Sequence, residues 1–378
     1  MSDFDDWANG KTDDNDFAAV QSDLAKLRKR FAAERRSRKK LESALILSEK
    51  RLEAAIRLSE SARDEPEFEI APDAKSDVRE GTAIIMASDW HVEETVDPAT
   101  VNNVNEYNPE IARRRSEAFF RDSHWWLKFF SKGYKINEIV LWLGGDMISG
   151  YIHDELVESN EMSPTEASLL VQSFIRHGMD SLLKWMPNVK ISVVCSYGNH
   201  GRTTSKRRHS TGAKNSYEWL MYHHLKQLYE GNERVRFQVA NGSHSYMKIY
   251  DWTFRFHHGD DVRFQGGVGG LSVPLGKALS KWDTVRHADH TIIGHWHQLK
   301  DFDDGIVNGS LIGYNAFALS IKAKYEPPRQ GFLFVDRDRG KLGLVPLYVE
   351  EGEQKADSIS RRIRSSPGKG GLFMEDEI

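Results

Sequence analysis

Five apolar segments of this chain each run directly into a cluster of metal-ligating side chains, and that coincidence constrains the fold more than any other feature. The clusters are Asp89-Trp90-His91, Gly145-Asp146, Gly198-Asn199-His200, His257-His258-Gly259 and Gly294-His295-Trp296-His297. Alternate side chains of an extended segment point the same way, so Asp89 with His91, and His295 with His297, can each reach one ion. The glycines let backbone and side chain approach a metal without a Cβ clash. Open α/β sheets gather ligands at the carboxyl ends of their strands, which is where these clusters fall. Carboxylates, a carboxamide and imidazoles without thiolate suit Mn, Fe, Zn and similar ions better than Ca or Mg alone.

The segments between the clusters predict the architecture. Ala83–Ser88, Ile139–Leu143 and Val189–Cys195 read as strands, separated by helices over Glu110–Lys132 and Pro164–Trp185 and followed by one over Ala213–Tyr229. Beyond Val235 the pattern shortens to β segments at Tyr246–Tyr250, Thr253–His257, Thr291–Ile293, Ile306–Asn308, Asn315–Leu319, Gly331–Val335 and Leu342–Val349. Strand–helix alternation followed by mostly strands predicts an α/β fold, a layered β-sandwich flanked by helices, over residues 81–352. The aromatic residues Phe119, Phe120, Trp126, Phe129 and Phe130 are expected on the buried side of the first helix, and the Trp125-Trp126 and Phe129-Phe130 pairs as core packing. Gly259 to Gly270 reads as a loop beside His258.

Ahead of this body lies a different kind of sequence. Residues 1–16 are polar and expected to be disordered. Over 17–63, Phe17, Val20, Leu24, Leu27, Phe31, Leu41, Leu45 and Leu52 recur at steps of three and four, interrupted by Glu34 and Arg38. With no Gly or Pro before Pro66, this predicts a long N-terminal helix of about 65–70 Å, with a narrow apolar seam that calls for a coiled-coil partner, parallel or antiparallel: a homo-oligomer or another helix. The broken central heptad leaves a lone solvated helix, or docking onto the body that follows, as the alternatives. Residues 64–80 read as a linker, and 353–378 as a flexible tail.

Charge and cysteine content narrow the setting. Residues 17–63 carry 13 Lys/Arg against 6 Asp/Glu, and Arg202, Lys206, Arg207 and Arg208 form a second basic stretch on an otherwise acidic chain of net charge −4. A basic arm and loop on an acidic body point to a phosphate-rich partner such as nucleic acid. No apolar run approaches the ~20 residues of a membrane span. The acidic N-terminus has no signal-peptide character, and the single cysteine, Cys195, suits a reducing cytoplasm and reads as a buried apolar residue. Histidines outside the clusters (His124, His153, His177, His209, His223, His224, His244, His287 and His290) read as packed or surface residues.

Taken in order, D-x-H, G-D, G-N-H, H-G and G-H-x-H resemble the calcineurin-like metallophosphoesterase superfamily, from about Ala83 to Val349. The resemblance implies two divalent ions, Mn2+ first with Fe, Zn, Ni or Mg as alternatives, that activate a bridging hydroxide for hydrolysis at phosphorus. It implies Asp89, His91 and His297 on one ion, Asn199, His295 and His258 on the other, and Asp146 between them, with His257 the alternative to His258. His200 resembles the histidine that contacts substrate phosphate and protonates the leaving oxygen. One departure matters: the family follows G-N-H with an acid that orients the histidine, whereas this chain has Gly201-Arg202. Asp260, Asp154 or Glu155 is expected in that role, with Arg202 on a substrate phosphate. Gly-Asn-His-Gly-Arg before a basic stretch is similar to phage-encoded members, which would place the protein in a host cytoplasm. The resulting expectation is a DNA or RNA nuclease, akin to double-strand-break repair nucleases. The alternatives are a phosphatase or small-molecule phosphodiesterase, and a non-catalytic scaffold.

Overall fold

A computed structural model describes residues 14–61, 67–73, 78–263, 270–320 and 322–350. The chain divides into two compact units, residues 1–64 and 65–378. Among its described residues the first is a single helix, α1 (Asp14–Ser61). Each of its side chains from Ser22 to Ser43 is exposed. The expected disorder of residues 1–16 and the tail over 353–378 fall almost wholly outside the described residues; Asp14 to Asp16 are helical.

The second unit is built from two six-stranded mixed sheets flanked by helices. One sheet has the order β12-β11-β2-β3-β4-β5, with β2 (Gly81–Ala87), β3 (Glu138–Leu143), β4 (Lys190–Cys195) and β5 (Val235–Val239) parallel, and β11 (Arg329–Asp336) and β12 (Gly340–Tyr348) antiparallel at one edge. The other has the order β1-β6-β7-β8-β10-β9, from β1 (Phe68–Ile70), β6 (Ser245–Ile249), β7 (Trp252–Phe256), β8 (His290–Ile293), β10 (Gly305–Val307) and β9 (Lys300–Phe302).

Strand periodicity divides β2 between two cores. Ala83, Ile85 and Ala87 face the helices α2 (Pro109–Phe130), α4 (Pro164–Trp185) and α5 (Tyr217–Leu228), packing with Phe119, Phe120, Val171, Ile175 and Tyr222. Ile84 and Met86 point the other way, into an inter-sheet core with Trp142, Val194, Met247, Phe254, Phe256 and Ile292. A third cluster seats α6 (Ser272–Asp283) on the second sheet through Leu275, Ile293 and Val307. Strands buried on both faces must be apolar at nearly every position, which is why these segments stood out in the sequence.

Four local expectations change. Asn315–Leu319 is a short helix, α7 (Ala316–Ser320), because the Asn315 side chain accepts the Ala318 amide and turns the chain. The expected linker contains β1, whose Phe68 and Ile70 are buried and pair with β6. Phe129 and Trp125 are exposed, stacked on each other at 5.8 Å, while Phe119 and Phe120 hold the core. Helix α6 begins just beyond the glycine-rich stretch; Gly266, Gly267 and Gly269 lie outside the described residues. No helix among the described residues is long and apolar enough to cross a membrane.

Candidate metal centre

The five clusters converge because the strands that precede them are neighbours. Parallel β2, β3 and β4 end at Ala87, Leu143 and Cys195, and parallel β7 and β8 end at Phe256 and Ile293. Asp89, Asp146, Asn199, His258 and His295 therefore emerge at carboxyl ends in both sheets, as open α/β sheets dictate. Two groups form: Asp89, His91 and His297, and Asp146, His258 and His295, each with its ligand atoms within 4.8 Å of one another. The Asn199 carboxamide oxygen joins the second group, 3.2 Å from His258 Nε2. The groups touch: the His295 amide donates to both carboxylate oxygens of Asp89, at 2.9 and 3.0 Å.

The turns that aim these side chains are strained. Among the described residues ten non-glycine positions have left-handed φ, and five of them are Asp89, His91, Asp146, His295 and His297. Such conformations cost of order ~1–3 kcal/mol each and persist only where surroundings impose them. Here the amides of Trp90 and His91 both donate to the Asp146 carbonyl, and the His200 amide donates to Asp146 Oδ1 at 2.7 Å. Gly198 is forced by the same crowding, since a Cβ there would lie 2.1 Å from Asp146 Oδ1.

Ring orientation tests whether cations fit. Ser149 Oγ donates to Glu94 at 2.8 Å, so it accepts from His91 Nδ1, 2.9 Å away. His91 Nε2 is left as a buried lone pair with no hydrogen-bond partner, a costly state unless something electron-poor meets it. His258 is fixed likewise: Nδ1 donates to the Gly144 carbonyl at 2.8 Å, turning Nε2 to Asp146 Oδ2 at 2.9 Å. Ligating histidines are held through the other nitrogen in this way. Burial keeps His91 well below its ordinary pKa, helped by His200 and His297, and lowers His295 to about 3. Both present neutral imidazoles. Burial also opposes charge on His258, yet the Asp146 carboxylate overrides it and holds His258 well above its usual range. The donor set thus fits two divalent cations, with His258 surrendering a proton to bind.

Of the two adjacent histidines, only His258 joins the groups. His257 turns away to Asp261, 3.6 Å off, and packs against His244 and Trp282. His200 stands at the rim, half-buried, its ring 4.8 Å from that of His91. Its Nδ1 donates to the Ser149 carbonyl at 3.0 Å, so a backbone oxygen orients it. None of the three carboxylates proposed for that role does so: Asp260 pairs with Arg207 at 3.0 Å, and Asp154 and Glu155 are exposed on α3 (Asp154–Ser159). Arg202 donates to the carbonyls of Asn199, Thr204 and Ser205, so its guanidinium clamps the loop that carries Asn199.

Sequence reading missed Glu218. This fully buried residue on α5 accepts the Met147 amide at 2.6 Å and the Gly198 amide at 2.7 Å, tying the Asp146 turn to the Asn199 turn. A Cβ at Gly201 would lie 2.7 Å from Glu218 Cγ, so Glu218 fills the space an acidic side chain at 201 would need. Burial, reinforced by Asp146, raises its pKa to about 8. Glu93, also missed, accepts the amides of Ser149 and Gly150 at 2.8 Å. Neither lies in a motif, and a lone glutamate, whether on a helix as Glu218 or in a turn as Glu93, carries no signal of its own.

Comparison with protein-family models finds none that matches the chain, and comparison with curated proteins finds no match.

Two outcomes follow from this geometry. Elemental analysis of Mn2+-loaded protein should find two ions per chain in His257→Ala but fewer in His258→Ala; the reverse order would contradict the assignment. Glu218→Gln, which can satisfy only one of the two amides, should weaken Mn2+ binding about 10-fold or more in chelator competition. Unchanged affinity would show that Glu218 does not support the site.

Proposed function

We propose that this protein is a two-metal phosphoesterase of the metallophosphoesterase type that cleaves nucleic-acid phosphodiesters, with Mn2+ as the preferred ion. The observation that carries the reading is the pairing of two Asp/His groups, each complete, at adjoining strand ends. Asp89, His91 and His297 would hold one ion; His258, His295 and Asn199 would hold the other, with Asp146 between them. Ions so held supply Lewis acidity toward a phosphoryl oxygen and lower the pKa of a nearby water. A complete ligand set argues against a non-catalytic scaffold. The two-sheet, helix-flanked architecture is compatible with this family's fold.

The chain's own residues divide the remaining work. One oxygen of Asp146 faces His258 Nε2 and would be free to hold an ion, while the other accepts the His200 amide, so one carboxylate places both the ligand group and the rim histidine. Because the Ser149 carbonyl takes Nδ1–H, His200 keeps Nε2 for a proton passed to the leaving oxygen. Support for a polymeric substrate comes from cations around the site. Lys206 and Arg208 are exposed on the loop after His200. A cleft of about 560 Å3 is lined by Arg263, Lys277, Lys281 and Trp282 together with Asp261, and Trp282 packs on His257 beside His258. Basic side chains beside an aromatic ring suit a phosphate backbone with its bases. Arg207 is committed to Asp260 and Asp261 and adds little to that field.

The Mn2+-loaded protein should cut single- or double-stranded DNA, and Asp146→Ala should lower the rate by at least about 10^3-fold, as loss of a site acting as a unit does. Hydrolysis of p-nitrophenyl phosphate with no cleavage of DNA or RNA would contradict the nuclease reading and favour a phosphatase. His200→Ala should slow esters with alkoxide leaving groups about 10^2-fold or more while sparing p-nitrophenolate esters, which leave without a proton. Equal losses on both would remove His200 as proton donor.

A further inference from the structure

We infer that α1 pairs with α1 of a second copy of this chain as an antiparallel coiled coil, in one register fixed by Glu34 and Arg38. The helix exposes Leu24, Leu27, Phe31, Leu41 and Leu45, the last three at 60% or more. A 48-residue helix with a narrow apolar seam of this kind buries it against another helix. Counting heptads from Phe17 at position a, the a positions are Phe17, Leu24, Phe31, Arg38, Leu45 and Leu52. The d positions are Val20, Leu27, Glu34, Leu41, Ser48 and Ala55. The break in the seam is therefore one acid at d followed by one base at the next a.

That break chooses the orientation. In a parallel pair a faces a and d faces d, so Glu34 would meet Glu34 and Arg38 would meet Arg38 inside the seam, with Arg30 beside Arg35 at both flanks. In an antiparallel pair a faces d. Centred on Arg36, each Glu34 then meets the other copy's Arg38, twice by symmetry, Phe31 meets Leu41 and Leu27 meets Leu45. Position 20 falls opposite position 52, where the sequence has Val and Leu. The flanks agree: Arg28 lies beside Glu42 and Asp23 beside Arg51, against a single like-charge contact of Arg35 with itself. Sliding by one heptad in either direction sets Glu34 against Phe31 or Leu45 and Arg38 against Leu27 or Leu41, leaving buried charges unpaired, which is strongly unfavourable. A polar pair within an apolar seam specifies register in this manner. Within one helix Arg38 donates to Glu42 at 3.1 Å, with both side chains exposed. An exposed pair at this spacing is worth only about 0.3–0.5 kcal/mol and is no obstacle.

A second copy is the occupant because the charges complement themselves about Arg36, a symmetry an unrelated helix would have no reason to match. The pairing sets the two Ser61 ends about 75 Å apart, at 1.5 Å per residue. It thus separates the points at which the two chains continue, where a parallel pair would bring them together.

The test uses the full chain with the buried Cys195 replaced by alanine and a spin label at Ser22→Cys, on the solvent side of the seam. Sedimentation should give twice the chain mass, and the label-to-label distance should be about 42 Å. A monomer, or a distance under about 25 Å, overturns the proposal. Glu34→Arg should raise the dimer dissociation constant more than about tenfold, since it sets like charges together, and the double variant Glu34→Arg, Arg38→Glu should restore dimerisation. Equal dimerisation of the single variant and the parent, or failure of the double variant to recover while remaining as helical as the parent by circular dichroism, also overturns it.

Discussion

The carboxylates of Asp89 and Asp146 are essentially sealed from solvent, and the structure around the strand ends answers that single constraint. A buried carboxylate without compensation costs several kcal/mol, so each is surrounded by donors. Asp89 accepts Ser88 Oγ at 2.6 Å and the His295 amide on both oxygens, with His297 Nε2 at 3.4 Å. Asp146 takes the His200 amide and His258. Burial pushes Asp146 upward, but the His258 imidazole hydrogen-bonded to it holds it well below its ordinary range. Five left-handed turns are the conformational cost of bringing those donors in. Two divalent ions would complete the compensation and release His258 from serving as a counter-charge.

The arrangement reaches outward through polar atoms that touch no proposed ion. Asn308 donates to Ser88 Oγ, and Gln330 both accepts the Ser88 amide and donates to its carbonyl, so the antiparallel strand β11 steadies the Asp89 turn. Glu218 ties the Asp146 and Asn199 turns together, and Glu93 holds the Ser149–Gly150 amides beneath His91 and His200. Such partners decide whether ligands stay in place, since loosening a turn displaces the side chain it aims.

Much of this was legible in the sequence because burial on both faces of a strand leaves a plain apolar signature, and a cluster at its end is hard to produce by chance. Helix α4 matches its expected bounds, helped by Pro164 at its first position and the capping box of Ser163 with Glu166. What stayed hidden depends on tertiary neighbours. The short apolar run at 315–319 became a helix through one asparagine cap, and Phe68–Ile70 became a strand only because β6 offered an edge. His257 and His258 are indistinguishable in sequence; the Gly144 carbonyl separates them by claiming Nδ1 of one. Gly201 pointed to a missing acid, but only the fold could show that Glu218 occupies the place and that the Ser149 carbonyl orients His200.

Two neighbouring ions are expected between these strand ends. Crystals grown with Mn2+ can be examined by anomalous diffraction at the manganese edge. Two peaks should appear, one bounded by Asp89, His91 and His297 and the other by Asn199, His258 and His295, with Asp146 between them. A single peak, or peaks away from these residues, would contradict the two-ion arrangement.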